Sequence, residues 1–171
     1  MEANVKFARE MARRTLKKYG LNTVPVDLDV IFAKEGYKKV EINKPDGVNG
    51  SIKHIPGKGT FVAVNTAKPF NRIRFTLAHE LGHIFLNHDK RDIYDGEASR
   101  EMELDEFEEM PSSKPAKELE ADVFASELLI PLEQLKKYVK QGHELEKLAE
   151  IFQVSKHAMS IAYNNNWRYL K

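Results

Sequence analysis

Residues 72–88, Arg-Ile-Arg-Phe-Thr-Leu-Ala-His-Glu-Leu-Gly-His-Ile-Phe-Leu-Asn-His, constrain this chain more than any other stretch. Ile73, Phe75, Leu77, Ala78, Leu81, Ile84, Phe85 and Leu86 cover most of the circumference of a helix, so the helix belongs in an interior. Arg72, Thr76, His79, Glu80, His83 and Asn87 fall on one narrow stripe of it, with Arg74 outside the stripe. Polar groups in a buried helix cost free energy unless something satisfies them. His79 and His83 are four residues apart and point the same way, so the H-E-x-x-H pattern suits one zinc ion gripped by two imidazoles. Glu80, next to the first of them, is placed to work on a water activated there.

The rest of the composition limits how such a site can be completed. The chain has 171 residues, enough for one domain with a core or a domain with a small appendage. It has no cysteine, so thiolate ligands and disulfides are excluded, and any zinc must be held by His and carboxylate. No apolar run approaches a membrane span and the first ten residues have no apolar signal core, which together with the lack of cysteine fits a cytoplasmic location and no membrane partner. The net charge of +1 is split: residues 1–92 carry 17 basic and 10 acidic side chains, residues 93–171 carry 10 and 16. The whole chain is therefore no obvious polyanion binder.

Ahead of the central helix, residues 3–18 read as an amphipathic helix with Ala3, Phe7, Ala8, Met11, Ala12 and Leu16 at helical spacing, stopped at Gly20. A short second helix follows Pro25 and ends near Gly36. Tyr37–Ile42, Gly50–Ile55 and Thr60–Asn65 read as three short antiparallel strands, the last two a hairpin through Pro56-Gly57-Lys58-Gly59. His54 is a surface or cross-strand residue of that hairpin. Behind the central helix, Asp89 to Pro115 has weak periodicity, with seven carboxylates between Glu97 and Glu109. It reads as a solvated loop, and more sharply as a lid or a contact for a basic partner. Pro115 opens a strong helix that stops at Pro131, and another helix runs to about Lys140. The architecture expected is α+β, mostly helical, with a small three-stranded antiparallel sheet.

The C-terminal stretch is similar to a helix-turn-helix, with a turn at Gln153 and a second helix from Ser155, and it reads first as a packing module. Direct DNA contact through 145–167 is the lesser reading, because Lys156, His157 and Ser160 are thin for phosphate contact.

The third ligand must come from elsewhere. The extended pattern with a third His six residues on would need His at 89, where the chain has Asp89. His88 lies five residues past His83, about 140° around the helix, and cannot join the same site without a break. Glu118 and Glu120 stand on the next strong helix. Glu118 has Asp122 one turn on, so Glu118 can ligate while Asp122 accepts the free ring N–H of a ligating His. Glu120 points the other way and is the weaker candidate, while small Ala121 and Ala125 allow the two helices to approach.

Arg72-x-Arg74-Phe75-Thr76-Leu77-Ala78-His79-Glu80-Leu81-Gly82-His83, followed by Glu118-x-x-Ala121-Asp122-x-Phe124-Ala125-x-x-Leu128-Leu129-x-Pro131, closely resembles the ImmA/IrrE family of zinc metallopeptidases. The resemblance covers about residues 20–165, and the family more often has Asn where this chain has Asp122. It implies a minimal zincin-like metallopeptidase domain over 1–142, with a helix-turn-helix-like subdomain over 143–171 packed on it. It implies one Zn2+ on His79, His83 and Glu118, Asp122 behind them, and Glu80 as the catalytic residue. The implied activity is endopeptidase cleavage of a helix-turn-helix repressor protein, which relieves repression. The alternative is a regulatory binding protein that keeps the fold and acts by protein or DNA contact without proteolysis. The oxyanion stabiliser is open among His54, His88, Tyr94 and Tyr163.

Overall fold

The structure is a computed structural model and describes residues 2–88 and 115–171. Tyr94 and the acidic stretch 97–109 lie outside the described residues. The described elements are α1 (Val5–Tyr19), α2 (Leu28–Glu35), β1 (Lys38–Ile42), β2 (Gly50–Ile55), β3 (Gly59–Asn65), α3 (Phe70–Phe85), α4 (Ala116–Leu129), α5 (Leu132–Lys140), α6 (Leu145–Phe152) and α7 (Lys156–Asn166). A short 3-10 turn, Trp167–Tyr169, follows.

Helix ends follow from local chemistry. The Asn4 side chain caps α1 by accepting from the Phe7 N–H, and Gly20 takes the left-handed conformation that closes it. The face α1 buries is narrower than its sequence stripe: Ala8, Ala12 and Thr15 are buried, whereas Phe7 is 42% exposed. α1 packs on α4, and small side chains let the two backbones come close.

The sheet is mixed, which corrects the antiparallel expectation. β2 and β3 form the expected antiparallel hairpin, but β1 pairs in parallel with β3, giving the order β1-β3-β2. The cause lies in the segment between β1 and β2, which is long enough to cross the end of one strand. Asn65, the last residue of β3 and fully buried, holds it there. Its Oδ1 accepts from the Lys44 N–H at 3.2 Å, and its Nδ2 donates to the carbonyls of Lys44 at 2.6 Å and Val48 at 3.1 Å. The chain therefore leaves β1 beside β3, wraps over Asn65 and enters β2 on the far side. This brings Gly50, the first residue of β2, over α3.

Ile52, Val62 and Val64 of the sheet, Leu77, Ala78 and Leu81 of α3, and Phe124, Leu128 and Leu129 of α4 share one hydrophobic cluster. The same cluster takes in Leu148 and Phe152 of α6 and Met159 and Ala162 of α7, so the core runs without a break from the sheet to the C-terminal helices. The turn between α6 and α7 needs no glycine, because Gln153 itself adopts φ +53°. Arg74, which lay outside the polar stripe, secures that turn. Its Nε donates to the Gln153 carbonyl at 3.2 Å and its Nη2 to the Val26 carbonyl at 3.1 Å. No helix among the described residues is long and apolar enough to cross a membrane.

Candidate metal centre

α3 and α4 lie side by side at the point where Gly82 meets Ala121. A Cβ on Gly82 would fall 3.1 Å from both the Cα and the carbonyl oxygen of Ala121. The helix backbones therefore touch one residue before His83 and three residues after Glu118, and this close approach lets a carboxylate on α4 reach imidazoles on α3.

His79 Nε2 and His83 Nε2 stand 3.0 Å apart. Glu118 completes the triangle, with its two carboxylate oxygens 3.2 Å from His79 Nε2 and 3.2 Å from His83 Nε2. Glu120 stays outside this triangle, as its place on the helix implied. Two nitrogens and one oxygen on a zinc ion at bonds of about 2.0–2.1 Å and tetrahedral angles would stand about 3.3 Å from one another. The two nitrogens stand 3.0 Å apart, each lies 3.2 Å from a different Glu118 oxygen, and one ligand atom from each residue lies within 4.8 Å of the others, so the donor set fits a zinc ion.

Each imidazole must present a bare Nε2 to a metal and therefore carry its proton on Nδ1. His79 Nδ1 donates to Asp122 Oδ1 at 2.6 Å, the partner that helical spacing pointed to. His83 uses a partner that helical spacing did not point to. Its Nδ1 is 2.8 Å from Nδ1 of His88, and His88 Nε2 is 2.9 Å from Glu120 Oε2. α3 does not run on to His88 as a continuous helix. It ends at Phe85, Asn87 turns to φ +55°, and the chain folds His88 back against His83. An Asn placed to take the left-handed conformation was the available sequence signal for that turn.

Burial and neighbouring charge tune the titrating groups in opposite directions. Burial opposes a charge on His79, but Asp122, Glu118 and Glu80 outweigh it and raise the imidazole to about 10. Burial likewise opposes a charge on Glu118, yet hydrogen bonds from His79 and His83 hold it well below the usual carboxylate range. Among the described residues, no side-chain donor lowers Glu80 in this way. Burial raises it to about 7, His79 opposes the rise and Glu118 adds to it. His88 is held below the usual imidazole range, mainly by burial, although Glu120 pulls the other way.

Glu80 also depends on the sheet. A Cβ on Gly50 would fall 2.5 Å from the Thr76 methyl carbon and 3.5 Å from Glu80 Oε1. The glycine at the start of β2 therefore leaves the space beside Glu80. Of the oxyanion candidates, His54 bonds to Thr60 across the hairpin, as a cross-strand residue should. His88 is occupied behind His83, on the side away from the ligand triangle. Tyr163 is half-buried on α7, and Tyr94 lies outside the described residues.

Known proteins point to the same segments. The peptidase-family model for the IrrE N-terminal-like domain matches residues 37–163, which include α3 and α4. Among solved structures, a Mycobacterium tuberculosis transcriptional regulator shares the fold with a TM-score of 0.63 at 16% identity. The match covers 91% of this chain and 46% of that one, so the chain spans about half the length of that neighbour. A search of curated protein sequences finds no match.

Proposed function

The chain belongs to the IrrE N-terminal-like peptidase family, and on that premise we propose that it is a zinc-dependent endopeptidase that cleaves a helix-turn-helix transcriptional repressor. The observation that carries the reading is the triangle of His79 Nε2, His83 Nε2 and a Glu118 oxygen, with Glu80 beside it and not in it. Three protein ligands leave a fourth position open, as catalytic rather than structural zinc sites do. The chemistry supplied by a bound zinc is Lewis-acid polarisation of a peptide carbonyl and of a water molecule.

The residues of the chain do the rest. His79 and His83 orient their lone pairs through the hydrogen bonds at their Nδ1 atoms, and Glu118 adds the negative charge that a dication requires. Glu80 takes a proton from water and returns it to the leaving amine. Burial raises this carboxylate to about 7 in the metal-free chain, and a dication in the triangle would lower it again, leaving Glu80 ionised to accept the proton near neutral pH. Asp122 acts through His79 as its positioning partner.

The repressor as substrate follows from the family resemblance, and the neighbour's description as a transcriptional regulator supports a role in gene control. The test is co-expression of the full chain with a helix-turn-helix repressor encoded beside it, wild type against Glu80→Gln. The expected result is a cleaved repressor with wild type only, while Glu80→Gln keeps its zinc. A cellular effect that persists undiminished in Glu80→Gln would favour the non-proteolytic binding protein.

A further inference from the structure

α3 ends in a Schellman turn that does more than stop a helix. The His88 N–H bonds back to the His83 carbonyl at 3.0 Å and the Asn87 N–H to the Ile84 carbonyl at 3.1 Å, with Asn87 in the left-handed conformation between them. In this motif the residue after the left-handed one packs on the residue five positions before it, usually by an apolar contact. Here that contact joins two imidazoles, with ring centroids 5.0 Å apart. Both residues are buried, and Glu120 of α4 closes the far end. We propose that His88 and Glu120 are positioning residues that fix the tautomer and orientation of the metal ligand His83, an inference that rests on the zinc reading of the site.

With His88 neutral and Glu120 ionised, the hydrogen bonds have one consistent polarity. Glu120 Oε2 is an acceptor 2.9 Å from His88 Nε2, so His88 carries its proton on Nε2. A neutral His88 then has a bare Nδ1, which can only accept, and the atom facing it at 2.8 Å is His83 Nδ1. His83 must therefore donate from Nδ1, which leaves its Nε2 bare on the ligand side. For a neutral His88 the reverse polarity would set two lone pairs against each other at Glu120; it needs instead a second proton on the buried His88 ring, and it would place the His83 proton where the ion must bind. The other oxygen of Glu120, Oε1, accepts from the Asn4 N–H at 2.6 Å. The carboxylate is thus held from both sides, and the first turn of α1 is tied to the ligand set through Glu120, His88 and His83. His79 has a one-residue version of the same device in Asp122. Both ligands consequently have the outer hydrogen-bond partner that metal-bound histidines characteristically require.

An apolar side chain at position 88 would satisfy the Schellman turn at lower cost than a buried imidazole, which needs two partners. This contrast sets the test. Zinc affinity is measured by competition with a chromophoric chelator on the full chain, for wild type, His88→Leu, His88→Gln and His83→Ala. His88→Leu keeps the bulk and loses both hydrogen bonds. His88→Gln keeps the polarity, with an amide oxygen to accept from His83 and an amide N–H to donate to Glu120. Affinity should fall about 10–100-fold in His88→Leu, the usual cost of losing such a partner, and return most of the way in His88→Gln. The visible spectrum of the cobalt-substituted protein should shift in His88→Leu and revert in His88→Gln, a change that a merely structural role would not produce. The proposal is overturned if His88→Leu binds zinc within about twofold of wild type with an unchanged cobalt spectrum. It is equally overturned if His88→Gln is as weak as His88→Leu while both melt like wild type in the metal-free state. A wild type that binds no zinc, or a His83→Ala variant that binds as tightly as wild type, would defeat the zinc reading itself and this proposal with it.

Discussion

His79 lies between two carboxylates, Glu118 on its Nε2 side and Asp122 on its Nδ1 side. Its pKa is raised from 6.5 to about 10, so the metal-free protein keeps that imidazole protonated at neutral pH. A zinc ion needs the Nε2 lone pair and must displace the proton. The sign follows directly: below about pH 10 proton and metal compete, and the competition grows as pH falls. Apparent zinc affinity should rise with pH by roughly tenfold per unit through the neutral range, with about one proton released per zinc. Isothermal titration in two buffers of different ionisation enthalpy measures this, and an affinity flat with pH there would contradict a proton held at His79. The residues of this centre were unequally legible. His79, Glu80 and His83, and likewise Glu118 and Asp122, each lie within one helix, where spacing alone fixes which side chains share a face. His88 depends on where α3 stops, and a change of one residue in that stop would turn it elsewhere.

α3 and α4 are held at their separation by Gly82 against Ala121. Helix propensity alone favours alanine over glycine by about 0.8–1.0 kcal/mol. The added Cβ, however, would meet the Ala121 backbone at 3.1 Å and the Phe124 ring at 3.2 Å, and a helix backbone cannot move aside as a flexible side chain would. Gly82→Ala should therefore lose roughly 1 kcal/mol net, since overpacking costs about 1–3 kcal/mol. Its zinc affinity should also fall, because Glu118 moves with α4. Thermal melts with zinc and with chelator measure both effects, and a gain of about 1 kcal/mol would show that the helices have room. Most elements were legible from local signals: Gly20 and Gly36 stop helices, Pro131 separates α4 from α5, and Pro56-Gly57-Lys58 turns the hairpin. Strand order was not. The neighbour of β1 is decided by Asn65, more than twenty residues along the chain, whose side chain pins the crossing segment. No periodicity within β1 carries that information.

Across the whole molecule, α3 and α4 are packed in one continuous hydrophobic core. Phe124, Leu128, Leu129, Leu148, Phe152 and Met159 are fully buried apolar side chains outside the ligand set. The chain should therefore stay folded without metal, unlike small domains whose folding free energy is their zinc affinity. Linkage still adds stability: at free zinc about 100 times Kd the gain is about 2.7 kcal/mol. For a domain of this size that is roughly 5–10 °C in Tm. Calorimetry with zinc and with EDTA should show the shift, with far-UV circular dichroism unchanged at 25 °C, and loss of the helical signal on chelation would contradict an independent core. The same core joins α3 and α4 to α6 and α7, so Arg74 and the Gln153 turn tie the C-terminal helices to the ligand-bearing helix instead of leaving them as a tethered module. The two-helix zinc site itself is tested most directly by a crystal of the full chain loaded with one equivalent of zinc, with anomalous differences measured across the zinc edge. The expected result is a single peak at about 2.0–2.2 Å from His79 Nε2, His83 Nε2 and a Glu118 oxygen, with Glu80 unbound beside it. A peak whose ligands omit Glu118, or no peak between α3 and α4, would contradict it.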